Sequence, residues 1–308
     1  MSDTAPALSG RFRLPGAVVL LLGGLFVGFA PLGLRFSDME PVVTAFWRFV
    51  FGLPMLLVFA KVAGFKITRP NWAAVATGVF FALDMGIWHA ALVRTSVANA
   101  TFIVNLGAIS VGLMAWIFLK QRPASIWPVA ALLALCGAAA MAFGAAPVGS
   151  GNQSHVTYSI VGDMMALIAA VCVSFYLLSA TIARQSMPGF SVVFWMTVTS
   201  IPVVAIMALV AGENFIPERL ADFSAPLWLA LFAQCLGQGL IILGMGMTKP
   251  SIAGVIVIVQ PVVAGLLAWP LFGEALTFFQ LAGAVAILIG VWLAGRKSDP
   301  PASIQTTD

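Results

Sequence analysis

Apolar residues fill this sequence in long blocks. They show neither the alternation of a half-buried strand nor the single stripe of a surface helix. An α-helix needs about 20 residues to cross roughly 30 Å of hydrocarbon. Blocks of about that length lie at 15–34, 42–63, 71–93, 97–119, 126–144, 158–181, 190–211, 226–247, 251–272 and 277–295. A membrane β-barrel would alternate polarity in ~10-residue segments, and these runs are longer and apolar on every side. Helices also pair their own backbone groups, which lipid demands. The pattern predicts an all-α integral membrane protein with ten transmembrane helices.

The joints are short. The longest, "AAPVGSGNQSHVT" at 145–157, is rich in Gly, Ser and Pro and divides the chain nearly in half. Sliding the chain by 153 positions lays "TSVANATFIVNLGAISVGLMAW" (95–116) under "TKPSIAGVIVIVQPVVAGLLAW" (248–269), with Gly112/Gly265, Leu113/Leu266 and Trp116/Trp269 among the identities. The ungapped match continues to Gly137/Gly290. A slide of 148 pairs Phe46–Trp47 with Phe194–Trp195 and Pro54 with Pro202. We read a duplicated five-span unit. Five is odd, so the second copy enters the membrane from the opposite side. That gives two inverted five-helix repeats, an arrangement that secondary transporters use around a midplane site. The expected organisation is a cytoplasmic tail at 1–14, repeats at 15–144 and 158–295 joined by 145–157, and a tail at 296–308.

Composition agrees with the pattern: 61% of the 308 residues are hydrophobic and 8% are charged, where soluble domains carry about 25% charged. Mean hydropathy is +1.05. The net charge of +4 forms no basic cluster, so nucleic acid is not an expected partner. With the N-terminus inside, Arg11, Arg13, Lys61, Lys66, Arg69, Lys120, Arg122, Arg184, Lys249, Arg296 and Lys297 are cytoplasmic. Only Arg35, Arg94 and Arg219 are external, and Arg48 is intramembrane. This bias predicts cytoplasmic termini in a multi-pass cell (inner) membrane protein. Cys136, Cys172 and Cys235 lie in apolar runs with no metal-ligand spacing, and neither a phosphate loop nor a catalytic constellation is visible. No cofactor and no enzyme activity are expected.

The second half, "TKPSIAGVIVIVQPVVAGLLAWPLFGEALTFFQLAGAVAILIGVWLAG", has a small-residue helix, Pro261 in mid-span, Gly273–Glu274 and a Gly-spaced final helix. It resembles the EamA-type transporters of the drug/metabolite transporter superfamily. The first half departs, with Ala108 in place of Pro and Lys120–Gln121 in place of Gly-Glu. The resemblance implies two inverted five-helix repeats and export of amino acids or other small metabolites.

Candidate chemistry comes from the few polar residues inside the blocks. A charged Asp at a span centre costs about 2.5–3.5 kcal/mol on insertion scales. Asp84 is therefore expected to face a wet cavity, binding a substrate amine or a proton, or else to pair with Arg48 for packing alone. Asp84 and Trp88 are four apart and share a helical face. Arg48 has three readings: snorkelling to the interface, pairing with Asp84, or attracting a substrate carboxylate. Gln234 and Gln238 are also four apart, and Asn105 and Gln260 lie at similar depth. Such amides serve either a site or interhelical adhesion. Tyr176 is an aromatic candidate for the cavity wall. The expected substrate-binding set is Asp84, Trp88, Asn105, Tyr176, Gln234, Gln238 and Gln260, with Asp84 and Arg48 as a proton or ion-pair site. Small residues such as Gly137, Gly283 and Gly290 are expected to pack helices, or to form a dimer face. The expected function is a secondary exporter of small metabolites working by alternating access, as monomer or homodimer; if transport is proton-coupled, Asp84 is the membrane-embedded acid placed to carry the proton. An uptake permease for a vitamin or nucleoside-like metabolite, a membrane-embedded enzyme and a passive channel are the alternatives.

Overall fold

Few side chains inside the blocks compete for backbone hydrogen bonds, so the main chain closes on itself as helix. The computed structural model describes residues 14–30, 33, 37–92, 94, 97–143, 160–272 and 276–296. Among them are helices and no strand. The expected tails before residue 14 and after residue 296, the loop at 145–157, Arg35 and Gly273–Glu274 lie outside the described residues. The first five helices are α1 (Gly16–Gly28), α2 (Pro41–Ala63), α3 (Trp72–Leu92), α4 (Val97–Leu119) and α5 (Trp127–Phe143). They are followed by α6 (Ile160–Ser186), α7 (Gly189–Ala211) and α8 (Leu220–Met245), a continuous helix that opens with a 3₁₀ turn and is π-helical over Leu229–Gln238. The last are α9 (Pro250–Val257), α10 (Gln260–Phe272) and α11 (Phe278–Arg296).

Among the described residues, six helical stretches are long and apolar enough to cross a membrane: α2, α4, α6, α7, α8 and the α9–α10 stretch. Shorter apolar segments occupy α1, α3, α5 and α11. The outer surface is apolar as well: Val210 is 84% exposed, Leu220 86% and Phe278 79%. Water penalises so much exposed hydrocarbon, and lipid covers it without cost.

Two helices repeat each other in detail. α2 and α7 each have 23 residues and an internal proline, Pro54 and Pro202. Each ends on a glycine in the left-handed region, Gly64 at φ 70° and Gly212 at φ 74°. Glycine adopts that conformation without a Cβ clash. The next residue then turns its N–H back onto the last helical turn, Phe65 to the Ala60 carbonyl at 2.9 Å and Glu213 to the Ala208 carbonyl at 3.0 Å. The indole N–H of Trp47 donates to the Phe215 carbonyl at 2.8 Å. Its counterpart Trp195 donates to the Thr68 carbonyl, also at 2.8 Å. Each helix thus clasps the loop that follows the other. Glu213 adds to one clasp, its Oε2 accepting the Val43 N–H at 2.8 Å near the start of α2.

Packing follows the same plan. α3 lies on α6 and α7, and α8 lies on α1 and α2. α4 packs on α6, α9 packs on α1, α4 touches α9, and α5 packs on α11. The α5–α11 crossing is close because it is built on glycine. A Cβ on Gly137 would stand 2.5 Å from the Gly283 carbonyl oxygen, and one on Gly283 2.5 Å from the Gly137 oxygen. These small residues therefore serve packing within the chain. The halves differ at one point. α4 is unbroken through Ala108, whereas Ile258 and Val259 form a turn between α9 and α10. There Ile258 and Val259 donate to Val255 and Ile256, three residues back. Pro261 has no N–H to offer the Val257 carbonyl, which explains a break in this half alone.

Candidate functional site

The interrupted helix and its neighbours surround a cavity of about 410 Å³, a size suited to a small organic ligand. Its apolar wall includes Val104 of α4, Leu177 of α6 and Leu229 of α8. Phe49, Phe81 and Tyr176 pack in series nearby, Phe81 edge-on to Phe49 with ring centroids 5.8 Å apart and tilted against Tyr176 at 5.0 Å. Into this greasy wall the fold inserts seven of the eight residues expected to form a site: Arg48, Asp84, Trp88, Asn105, Tyr176, Gln238 and Gln260. The eighth, Gln234, does not line it.

Arg48 is 4% exposed, so it does not snorkel to an interface. Its guanidinium carbon lies 5.7 Å from the centre of the Phe49 ring and 5.8 Å from that of Phe81, within reach of cation–π attraction. Nη2 donates to Gln234 Oε1 at 3.1 Å, and Nη1 meets the Met85 sulfur at 4.0 Å. Nε is buried with no hydrogen-bond partner. The hydrogen bonds of Arg48 therefore go to Gln234 and Met85 rather than to Asp84, whose buried Oδ1 also lacks a partner. A basic and an acidic side chain share one cavity without a hydrogen bond between them.

Gln234 stands behind the wall. It is fully buried, and its Nε2 donates to Thr197 Oγ1 of α7 at 2.8 Å. Four residues on, Gln238 does line the cavity and accepts a hydrogen bond from the Tyr176 hydroxyl at 2.6 Å. The α-helical spacing argument put both amides on one face. Both lie in the π segment Leu229–Gln238, and their roles differ with their partners, Arg48 and Thr197 for Gln234 and Tyr176 for Gln238. Tyr176 holds the Gln238 oxygen, which leaves the amide's N–H groups for the cavity. One wall is therefore rich in donors (Arg48, Gln238), and Asp84 on α3 supplies an acceptor. Asn105 enters from α4, Gln260 from the start of α10 beside Pro261.

Sequence reasoning missed Thr197. An isolated threonine in an apolar run carries no signal until its neighbour across the helix interface is known. The His89 side chain lies outside the described residues. Among the described residues, no three His, Cys, Asp or Glu side chains gather as metal ligands would.

A multi-pass helical protein with an internal amphiphilic cavity is of the membrane-transporter class. The EamA-like transporter family matches residues 14–143 and 160–296, and the chain belongs to that family. It is 25% identical over 227 residues to the uncharacterized transporter YwfM of Bacillus subtilis (strain 168), a match covering 72% of this chain and 73% of that one. It is 22% identical over 282 residues to an uncharacterized transporter of Archaeoglobus fulgidus, covering 92% and 97%. A crystal structure of another protein superposes with a TM-score of 0.76 at 18% identity, over 91% of this chain and 96% of that one, a likeness of fold.

Proposed function

We propose that this membrane transporter is a secondary active exporter of small zwitterionic metabolites of the amino-acid type, working by alternating access. One observation carries the reading. Arg48 and Asp84 line the same cavity, and each keeps a buried polar atom without a hydrogen-bond partner. A substrate carboxylate at Arg48 and Gln238, with its ammonium at Asp84, gives each side chain a partner of opposite charge through the atoms it presents to the cavity. The apolar remainder of the wall suits an aliphatic or aromatic side chain. In the absence of substrate Asp84 takes a proton, which couples transport to the proton gradient; export follows the family resemblance.

The architecture behind this reading is ten spans in two inverted repeats, in the inner membrane, with both termini cytoplasmic. Three observations support it. The family match falls in two stretches, one in each half. α2 and α7 share length, proline, glycine cap and tryptophan clasp. Exchanging α1 with α6, α2 with α7, α3 with α8, α4 with α9 and α5 with α11 maps the packing described above onto itself. Related halves can swap conformations about a central site at little structural cost.

The test is counterflow in proteoliposomes. Vesicles preloaded with unlabelled L-leucine or L-phenylalanine should accumulate the labelled compound transiently, and Arg48→Gln and Asp84→Asn should each abolish this. No counterflow for any zwitterion, with flux of amines or uncharged solutes instead, would refute the reading.

A further inference from the structure

The geometry points to Gln234 as the positioning residue that aims Arg48 at its anionic ligand, with Thr197 as the anchor that fixes Gln234. This rests on the reading of Arg48 as the carboxylate contact. Thr197 is fully buried on α7. Its hydroxyl donates to the Val193 carbonyl at 2.9 Å. A hydroxyl has one hydrogen, so towards Gln234 it can only accept, and it does so from Nε2 at 2.8 Å. The amide therefore has one orientation, with Nε2 towards Thr197 and Oε1 towards Arg48 Nη2 at 3.1 Å. A dry relay of hydrogen bonds thus joins α7, α8 and α2.

The relay holds one donor of the guanidinium, and Phe49 and Phe81 lie against it. Nε is buried with no partner, and the second hydrogens of Nη1 and Nη2 keep their hydrogen-bonding capacity. An arginine held in this way offers a carboxylate a preset set of donors. The neutrality of Gln234 matters equally. It accepts a hydrogen bond without cancelling the positive charge, whereas glutamate at that position would form an ion pair and leave little charge for a ligand. Gln234 thus determines specificity without touching the ligand.

Four leucine-like probes separate the contributions: L-leucine, its methyl ester, 4-methylpentanoate and 3-methylbutylamine. Binding is measured by thermal shift and calorimetry on purified full-length protein, with counterflow KM and kcat for those transported. Wild type should favour the two carboxylates over the ester and the amine. Gln234→Leu and Thr197→Val should weaken both carboxylates by ~10-fold, the loss of one charge-assisted contact, and leave ester and amine within about twofold. Their counterflow KM should rise while kcat holds. Thr197→Ser, which keeps the hydroxyl, should restore carboxylate binding and supplies the answer if Gln234→Leu does not fold. Gln234→Glu should weaken the carboxylates further still and spare the amine.

If all four probes weaken together in Gln234→Leu and Thr197→Val, the role is structural and the inference is overturned. If wild type prefers carboxylates and the variants keep that preference, the inference alone fails. If wild type binds 4-methylpentanoate but not L-leucine, the zwitterion reading fails, and Gln234 is judged on the carboxylate. If wild type shows no preference for carboxylates, both fall.

Discussion

Replacing Asp84 with leucine should stabilise the protein and silence it. Asp84 Oδ1 is buried with no hydrogen-bond partner, and an unsatisfied buried polar group costs about 1–3 kcal/mol. Leucine removes that cost, and its two methyl groups, which replace the two carboxylate oxygens and are slightly larger, have room because Asp84 borders a cavity of about 410 Å³. The net gain should be at least about 1 kcal/mol, equivalent to roughly 1.5 °C or more in apparent Tm for a chain of this size. The assay pairs a thermal scan of ligand-free protein in detergent with counterflow of L-leucine in proteoliposomes. Asp84→Leu should raise Tm and abolish counterflow. Asp84→Asn, which keeps polarity and size, should change Tm less and still lose transport. A fall in Tm by a comparable amount in Asp84→Leu would mean that the carboxylate holds the fold together, and the reasoning from its missing partner would be wrong.

Glu213 gives a pH signature. Burial pushes its carboxyl above the usual range, the Val43 N–H pulls it back in part, and the neighbouring Glu40 charge raises it again. The folded state therefore binds the proton more tightly than the unfolded chain. Stability is greatest below the ordinary glutamate value and falls as pH rises through the window up to the raised one. Glu213→Gln keeps an acceptor for Val43, so the Tm of wild type relative to this variant should decline across that window in a pH series. At the α5–α11 crossing, Gly283→Leu should cost about 1–3 kcal/mol by overpacking, because its Cβ meets the Gly137 oxygen at 2.5 Å. Gly239→Ala, with no atom within 4 Å of the added Cβ, should show no such loss in the same scan. Trp47→Phe and Trp195→Phe should each cost about 1 kcal/mol and add in the double variant. A large loss from one and none from the other would contradict the equivalence of the two clasps.

Much of the scaffold is legible because lipid imposes a length on apolar runs. The segments read as 42–63, 97–119 and 190–211 correspond to α2 (Pro41–Ala63), α4 (Val97–Leu119) and α7 (Gly189–Ala211). Where helices leave the apolar zone, hydropathy no longer marks their ends. α6 continues past 181 through Arg184 to Ser186, and α8 starts at Leu220 rather than 226. Pro261 stands just after the break between α9 and α10, and Ala108 at the matching position leaves α4 straight. The cavity residues were found because polar groups are scarce in these runs. Their partners were not found, since partnership depends on distances between segments far apart in the chain. Arg48 turned to Gln234, 186 residues away, instead of Asp84. Gln234 and Gln238 have different tasks because one meets Arg48 and Thr197 and the other Tyr176, contacts between segments far apart in the chain. The duplicated unit read from the sequence leaves the cavity's polar residues unexplained, because they fall where the two halves differ. Under the 148 slide Arg48 falls on Met196, and under the 153 slide Asp84 falls on Gly237 and Ala108 on Pro261.

The central claim is that related halves expose one cavity to one side of the membrane at a time. Its most direct measurement is labelling of Ala264→Cys, a cavity position, in a background lacking Cys136, Cys172 and Cys235. A membrane-impermeant thiol reagent is applied to right-side-out and inverted vesicles in turn. The account predicts strong labelling from one side in ligand-free protein and a shift in the ratio of the two rates when L-leucine or a pH gradient is supplied. Equal labelling from both sides, unaffected by either, would describe an open pore and contradict it.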